Sequence, residues 1–248
     1  MRAVVAIALF LFLLHPLRSS ALNFTLVASY KVEVPEPSGL AYDPARDVLY
    51  TISDEGGPIV ILSKEGKILG EIGRFEGDLE GIAYDHQRDL FYIVEERRRE
   101  LIILDRKTGI EHRLKIDLMG YNESDNKGME GVAVDPKSGR LFVVKERDPH
   151  FLLEIDAQGK SLQAFTIQEA WDFSDVSYDQ ATGYLLILSR GSRNVYEVTT
   201  TGKLVGEPFS FNIFNAEGIT LDRDGNLYLI TDSNGFAKDY LLKFERKR

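Results

Sequence analysis

Cysteine is absent from this chain of 248 residues. That removes disulfides, thiolate metal sites and thiol nucleophiles from consideration. Histidine is scarce. The chain has four, His15, His86, His112 and His150, and none has the His-x-x-x-His spacing of a helical zinc site. No G-x-S-x-G turn presents a serine nucleophile, and no glycine-rich loop is built to cradle phosphate. Basic charge is in deficit, with 30 Lys and Arg against 39 Asp and Glu and a net charge of −9. Such a surface repels nucleic acid and anionic lipid, so neither is an expected partner. The same charge keeps a protein dispersed, and we expect a monomer.

Long apolar runs are also missing, with one exception at the start. Arg2 precedes the apolar run Val4 to Leu14, and Ser19-Ser20-Ala21 follows it. This is the pattern of a secretory signal peptide over residues 1–21. The run falls short of the roughly 20 residues that cross a bilayer, so no stable transmembrane segment is expected after cleavage. The mature chain then starts near Leu22 and forms one domain over residues 22–248. Without Arg2 and Arg18 it carries 28 basic against 39 acidic side chains. Its predicted place is the periplasm or the extracellular space.

What the chain does have is a phrase said five times. Glu130-Gly131-Val132-Ala133-Val134-Asp135 returns as Glu80-Gly81-Ile82-Ala83-Tyr84-Asp85 and as Glu217-Gly218-Ile219-Thr220-Leu221-Asp222. Ser38-Gly39-Leu40-Ala41-Tyr42-Asp43 and Ser174-Asp175-Val176-Ser177-Tyr178-Asp179 are altered copies. The spacings are 42, 50, 44 and 43 residues, a period that marks a repeat architecture. After each copy come two further apolar runs, such as Leu90 to Glu95 and Leu101 to Leu104, separated by Asp, Pro and Gly turn residues. Four units then end in a fourth strand-like segment: Lys67 to Ile72, His112 to Leu118, Ser161 to Ile167 and Lys203 to Phe211. The last unit lacks one, and the strand-like Phe24 to Val34 lies ahead of the first. No segment of the mature chain shows a 3.6-residue helical period. An all-β, five-bladed β-propeller with four-stranded blades is therefore predicted, its ring closed by the N-terminal strand.

In a propeller the first strand of each blade lines the central channel. The motif's first residues, Glu80, Glu130 and Glu217, would then converge at one mouth, with Asp175 near them. Converging carboxylates must be relieved by protons, cationic side chains or a bound cation. Calcium, which takes six to eight oxygen ligands, suits such a ring. An alternative fits the repetition equally: each Glu-Gly start caps its strand and hydrogen-bonds the neighbouring backbone, with no ligand. A second set falls at the ends of the second strands: Asp54, Glu96, Glu146, Arg190 and Asp232, followed by Arg97 and Arg147. These either form a solvated charged face or a ligand pocket in which Arg147 and Arg190 grip an acidic group by forked hydrogen bonds. Asp222-x-Asp224-Gly225-Asn226 lacks the twelve-residue frame of a calcium loop and reads as a hairpin turn. Trp171 is expected to pack. Asn23-Phe24-Thr25 and Asn122-Glu123-Ser124 match the glycosylation acceptor pattern, relevant only in a eukaryotic secretory pathway.

Several stretches in order, Asn126-Lys127-Gly128-Met129-Glu130-Gly131-Val132-Ala133, Lys145-Glu146-Arg147-Asp148-Pro149, Asp175-Val176-Ser177, Leu188-Ser189-Arg190 and Ala216-Glu217-Gly218-Ile219, resemble the SdiA-regulated domain family. The resemblance spans nearly all of the mature chain. It implies a bacterial β-propeller, exported or associated with the cell envelope, and it assigns no activity. A looser likeness connects the chain to calcium-dependent lactonases of the gluconolactonase type and to NHL-type binding propellers. Only the Glu-Gly start is shared there, which is likeness of architecture. The function expected is an exported binding module of the envelope, with a small molecule, an envelope protein or a divalent cation such as calcium at the channel mouth. The alternative is a divalent-metal-dependent hydrolase, a lactonase or phosphoesterase, working at the same place.

Overall fold

Each blade grows from one copy of the six-residue motif, and the motif's last residue sets the first turn. In every copy this Asp uses Oδ1 to accept backbone N–H groups of the loop ahead. Asp43 holds Ala45 and Arg46, Asp85 holds Gln87 and Arg88, Asp135 holds Lys137, Asp179 holds Ala181, and Asp222 holds Asp224 and Asn226. An Asp that mimics backbone in this way folds the chain back into a hairpin. The Asp222 stretch is thus a turn, as expected.

A computed structural model describes residues 22–119, 128–233, 235 and 238–247. The leader and the Asn122 acceptor pattern lie outside the described residues. β1 (Phe24–Val32) precedes the first motif copy. Blade one is β2 (Pro37–Asp43), β3 (Val48–Ser53), β4 (Gly57–Leu62) and β5 (Ile68–Phe75). Blade two is β6 (Leu79–Asp85), β7 (Leu90–Glu95), β8 (Glu100–Asp105) and β9 (Glu111–Lys115). Blade three is β10 (Met129–Val134), β11 (Leu141–Lys145), β12 (Phe151–Ile155) and β13 (Ser161–Phe165). Blade four is β14 (Asp175–Asp179), β15 (Tyr184–Ser189), β16 (Asn194–Val198) and β17 (Phe209–Ser210). β18 (Ala216–Leu221), β19 (Leu227–Thr231) and β20 (Asp239–Arg246) begin blade five.

Five four-stranded antiparallel sheets result, and β1 completes the fifth by pairing with β20 from Phe24↔Arg246 to Val32↔Asp239. The ring closes as predicted. No helix occurs among the described residues, and none there is long and apolar enough to cross a membrane. One expected strand is much shorter than its sequence suggests. Lys203 to Phe211 supplies only β17 and an isolated bridge from Leu204 to Val198. Gly206 at a φ of 75° and Pro208, which has no N–H, break the ladder between them.

The core is not one lump. Five apolar clusters fill the five spaces between neighbouring blades. One joins Leu49 and Leu62 of blade one to Tyr228 and Leu241 of blade five, so the seam at the chain ends is packed like the others. Sheets stacked face to face in this way bury both surfaces of each middle strand.

Candidate functional site

Three rings of side chains meet at one mouth of the channel, and the backbone explains why. The first residues of the motif, Ser38, Glu80, Glu130, Ser174 and Glu217, start the innermost strands on this face. The residues ending the second strands return to the same face. Their backbones are tied to the crossover two residues before the motif: Asp54 N–H donates to Glu36 O, Glu96 to Asp78 O, Glu146 to Gly128 O, and Asp232 to Asn215 O. Arg190 N–H is held by Ser174 Oγ instead.

The product is a polar cup of about 210 Å³. Its walls carry Glu36, Asp54, Glu80, Glu96, Glu130, Glu146, Glu217 and Asp232, with Arg147, Arg190 and Ser38. Nine of the eleven residues singled out by sequence therefore line one space, Asp54, Glu80, Glu96, Glu130, Glu146, Arg147, Arg190, Glu217 and Asp232, while Arg97 pairs with Asp78.

Asp175, expected near the same level, does not line this space. It occupies the glycine position of its motif copy and is fully buried below the cup. Its Oδ1 accepts the N–H of Val176 at 2.8 Å, and its Oδ2 accepts that of Ile219 at 2.9 Å. The glycines at the same position press backbone on backbone around the axis. A Cβ on Gly81 would lie 2.6 Å from Gly131 Cα, one on Gly131 2.6 Å from Asp175 Cα, and one on Gly218 2.6 Å from Gly39 C. Only glycine permits that approach. The collar, completed by the Asp175 carboxylate, lies between the acidic cup and a small cavity of about 60 Å³ whose lining includes Leu40, Ile82, Val132, Ser177, Tyr178 and Thr220.

Charge is unevenly relieved around the cup. On the blade three to five side, Arg190 donates Nη1 to Glu217 Oε1 and lies 3.4 Å through Nη2 from Glu146 Oε1. Arg147 Nε lies 3.3 Å from Glu146 Oε2. Both arginines thus face protein carboxylates. They offset the cup's own charge, in place of the grip on an acidic ligand expected of them. Burial alone would lower the Arg190 pKa, but Glu217 and Glu146 hold its guanidinium firmly charged.

The blade one to two side is different. Carboxylate oxygens of Asp78, Glu80 and Glu96 lie within 4.8 Å of one another. Their protein partners are few: Ser38 Oγ donates to Glu80 Oε2 at 3.0 Å, Gly128 N–H to Glu96 Oε1 at 2.6 Å, and Arg97 Nε to Asp78 Oδ2 at 2.6 Å. Burial, then the charges of Asp78, Glu96 and Asp54 outweighing the Ser38 hydrogen bond, push Glu80 up to about 8. Asp54 is pushed up to about 7 by burial and by Glu36, Asp232 and Asp78. Burial raises Glu96 despite the Gly128 bond, and burial together with Glu80, Glu146, Glu96 and Glu217 raises Glu130 further. Glu217 rises to about 7 by burial, against the pull of Arg190. These are the shifts of carboxylates crowded in a low-dielectric recess.

Sequence reasoning missed Asp78 and Glu36, although a signal existed. Both stand two residues before a motif copy, a position that is acidic in three of five units (Glu36, Asp78 and Asp172). Trp171, expected to pack, is 77% exposed, and Phe214 is 71% exposed. Both stand on crossovers between blades, where neighbouring residues, Ile167, Ala170 and Phe173 for one and Ile213 for the other, supply the apolar contacts to the interblade clusters.

The profile of the SdiA-regulated family matches residues 24–238. Among solved structures, the chain is similar to the PQQ-bound aldose sugar dehydrogenase of Streptomyces coelicolor, with 15% identity, a TM-score of 0.58, and coverage of 91% of this chain and 98% of that one. It is also similar to XC5397 of Xanthomonas campestris, described as a gluconolactonase, with 14% identity, a TM-score of 0.53, and coverage of 87% and 88%. Virginiamycin B lyase of Staphylococcus aureus matches at 14% identity and a TM-score of 0.53, over 84% of this chain and 67% of that one. At these identities the likeness is one of fold.

Proposed function

The chain belongs to the SdiA-regulated family, and from that premise we propose that it is an exported binding module of the bacterial envelope whose cup takes a divalent cation, calcium. The observation that carries this reading is the set of three half-buried carboxylates, Asp78, Glu80 and Glu96, with oxygens within 4.8 Å of one another. An all-oxygen donor set with no nitrogen or sulfur selects hard cations, and calcium accepts the loose geometry that side chains from separate blades provide. The cation would add positive charge there to that of Arg97, whose Nε faces Asp78 alone of the three carboxylates. Glu130 and Asp54 stand next in line as further oxygens. The leader pattern of residues 1–21 supports export, which a mature N-terminus near Leu22 in periplasmic or secreted protein would bear out.

Calorimetric titration of chelator-treated protein with calcium and magnesium tests the reading. Calcium should bind in one-to-one ratio, and Glu80→Gln and Asp78→Asn should each weaken it by about tenfold or more, the worth of roughly one charged ligand contact. Absence of calcium binding by the folded wild type, shown by an unmoved melting temperature, removes the reading.

A hydrolase reading also has a specific observation behind it. Asp54 and Glu217, at about 7, titrate where a general acid or base works near neutrality, and both line the same cup. Calcium-dependent turnover of a lactone or phosphoester, lost in Asp54→Asn, would decide in its favour. Calcium binding without turnover leaves the binding module.

A further inference from the structure

The acidic cup does not end at its own rim. Asp232 lines it and also lines a second, larger space of about 580 Å³. This groove runs outward between blades four and five, under the crossover from β17 to β18. Ile213, Phe214, Tyr240 and Leu242 form its apolar walls, and Ser29 of β1 marks its far end. Leu242 belongs to the core cluster between these two blades, against which Ile213 packs, so the groove floor is a fixed part of the fold. Phe214 is held in place from one side only, by the Arg193 guanidinium 5.0 Å from its ring centre, and remains 71% exposed. A ring so placed leaves one face open to stack on something else.

Volume and lining set the class of the occupant. A space of this size with mostly apolar walls suits the body of a small organic molecule. The end that reaches Asp232 enters a cup of eight carboxylates and two guanidiniums, both of which already face Glu146 or Glu217. Asp54 lies close enough to Asp232 for the two charges to repel. A group entering there must carry positive charge and donate hydrogen bonds, which an ammonium does and a carboxylate does not. Lys238, the one cation of the groove lining among the described residues, is exposed to solvent, where water and salt screen it.

We propose that the groove and the Asp232 end of the cup together form a binding site for a primary amine with an aromatic or other flat apolar body. The body lies against Phe214 and Tyr240, and the ammonium reaches Asp232. The cation position at Asp78, Glu80 and Glu96 belongs to blade two and is left clear, so calcium and amine occupy different parts of the mouth. The amine reading draws on the negative charge of the cup, and not on whether calcium fills it.

The test uses a matched pair of fluorescent probes on the full mature protein, in chelator and again in saturating calcium. Dansylcadaverine carries the amine, and dansylglycine carries a carboxylate on the same ring system. Dansylcadaverine should bind with brighter, blue-shifted emission, and dansylglycine should bind at least about tenfold more weakly. Phe214→Ala, a change at an exposed ring that leaves the fold intact, should weaken dansylcadaverine about tenfold while calcium binding stays at the wild-type value. Asp232→Asn should weaken the amine probe and bring the two probes together. Equal binding of the two probes to the wild type, or an unchanged dansylcadaverine affinity in Phe214→Ala, overturns the proposal. Failure of calcium to bind leaves these outcomes readable, because the chelator arm measures the amine alone.

Discussion

Asp175 shows how one residue can look like a ligand and be a beam. Four motif copies place glycine at its position, because the backbones of neighbouring blades touch there. With β14 the fifth copy carries a side chain instead, and its two oxygens take the N–H groups of Val176 in its own blade and Ile219 in the next. Replacing it by Ala leaves those buried donors without acceptors, at about 1–3 kcal/mol for each unsatisfied group. Denaturant unfolding of Asp175→Ala should therefore show a loss on the order of 3 kcal/mol, with unchanged calcium affinity. Asp175→Gly restores the motif of the other blades yet should be as unstable, since it too lacks the acceptors. A glycine variant as stable as the wild type would sink the beam reading. At Arg190 the same scale reassigns a role. A guanidinium shared between Glu217 and Glu146 is a charge-balancing clasp across blades three, four and five.

Among the elements, β1 has the largest consequence. It is the outer strand of the last blade while being the first strand of the chain, so the seam of the ring lies between two antiparallel strands from opposite ends of the sequence. Its outer edge is exposed at Leu26 and Val27, and the register shifts between Leu26 and Ala28. A bulge there disturbs the ladder that another chain would need to dock on. Removing residues 22–34 would uncover the edge of β20 and strip Val32 and Val34 from the cluster between blades five and one. The shortened protein should aggregate or lose its single cooperative transition in calorimetry. An unchanged melting temperature would mean that the ring closes without β1. β17, only two residues long, marks the opposite choice: blade four gives up most of its outer strand, and the crossover that follows walls the groove at Ile213 and Phe214.

For the whole molecule, the crowded cup makes stability depend on pH in a definite direction. Glu80 near 8, and Asp54 and Glu217 near 7, all titrate above the usual carboxylate range in the folded state. The native state therefore holds protons more tightly than the unfolded chain. The stability linked to these groups is fully present below their unfolded values of about 4 and is lost as pH rises through 7 to 8. Metal-free protein should melt higher at pH 5.5 than at pH 8.5, by a few degrees for each kcal/mol involved. A cation binding only the folded state should return that loss at the upper pH and flatten the profile. Glu80→Gln should raise the metal-free melting temperature at pH 8.5 and gain little from calcium. A metal-free melting temperature that climbs with pH over this range would show that the carboxylates are not pressed together in solution.

The motif at a period in the forties was enough, read as sequence, to determine the blades, their four-stranded plan, the closing role of the N-terminal strand and the convergence of Glu80, Glu130 and Glu217. All of these rest on local physics repeated: alternation along a strand, an Asp that folds its own turn, and a count of strands against blades. The expected outer strand over Lys203 to Phe211 misled because Leu204 to Val205 and Phe209 to Phe211 are apolar enough for a strand, while Gly206 and Pro208 between them break the pairing. Only the tertiary structure decided which carboxylates meet. Asp78 joins Glu80 and Glu96 because a crossover hydrogen bond, Glu96 N–H to Asp78 O, ties the end of β7 to the start of its own blade. Asp175 turns away from the cup because backbone N–H groups of two blades lie beneath it. Trp171 and Phe214 stay at the surface because other residues of their crossovers, Ile167, Ala170 and Phe173 before β14 and Phe211 and Ile213 before β18, take the places in the interblade clusters, and the groove beside the cup forms between the second of these crossovers and blade five. Such facts depend on groups far apart in the chain facing each other across the ring, which no single repeat contains.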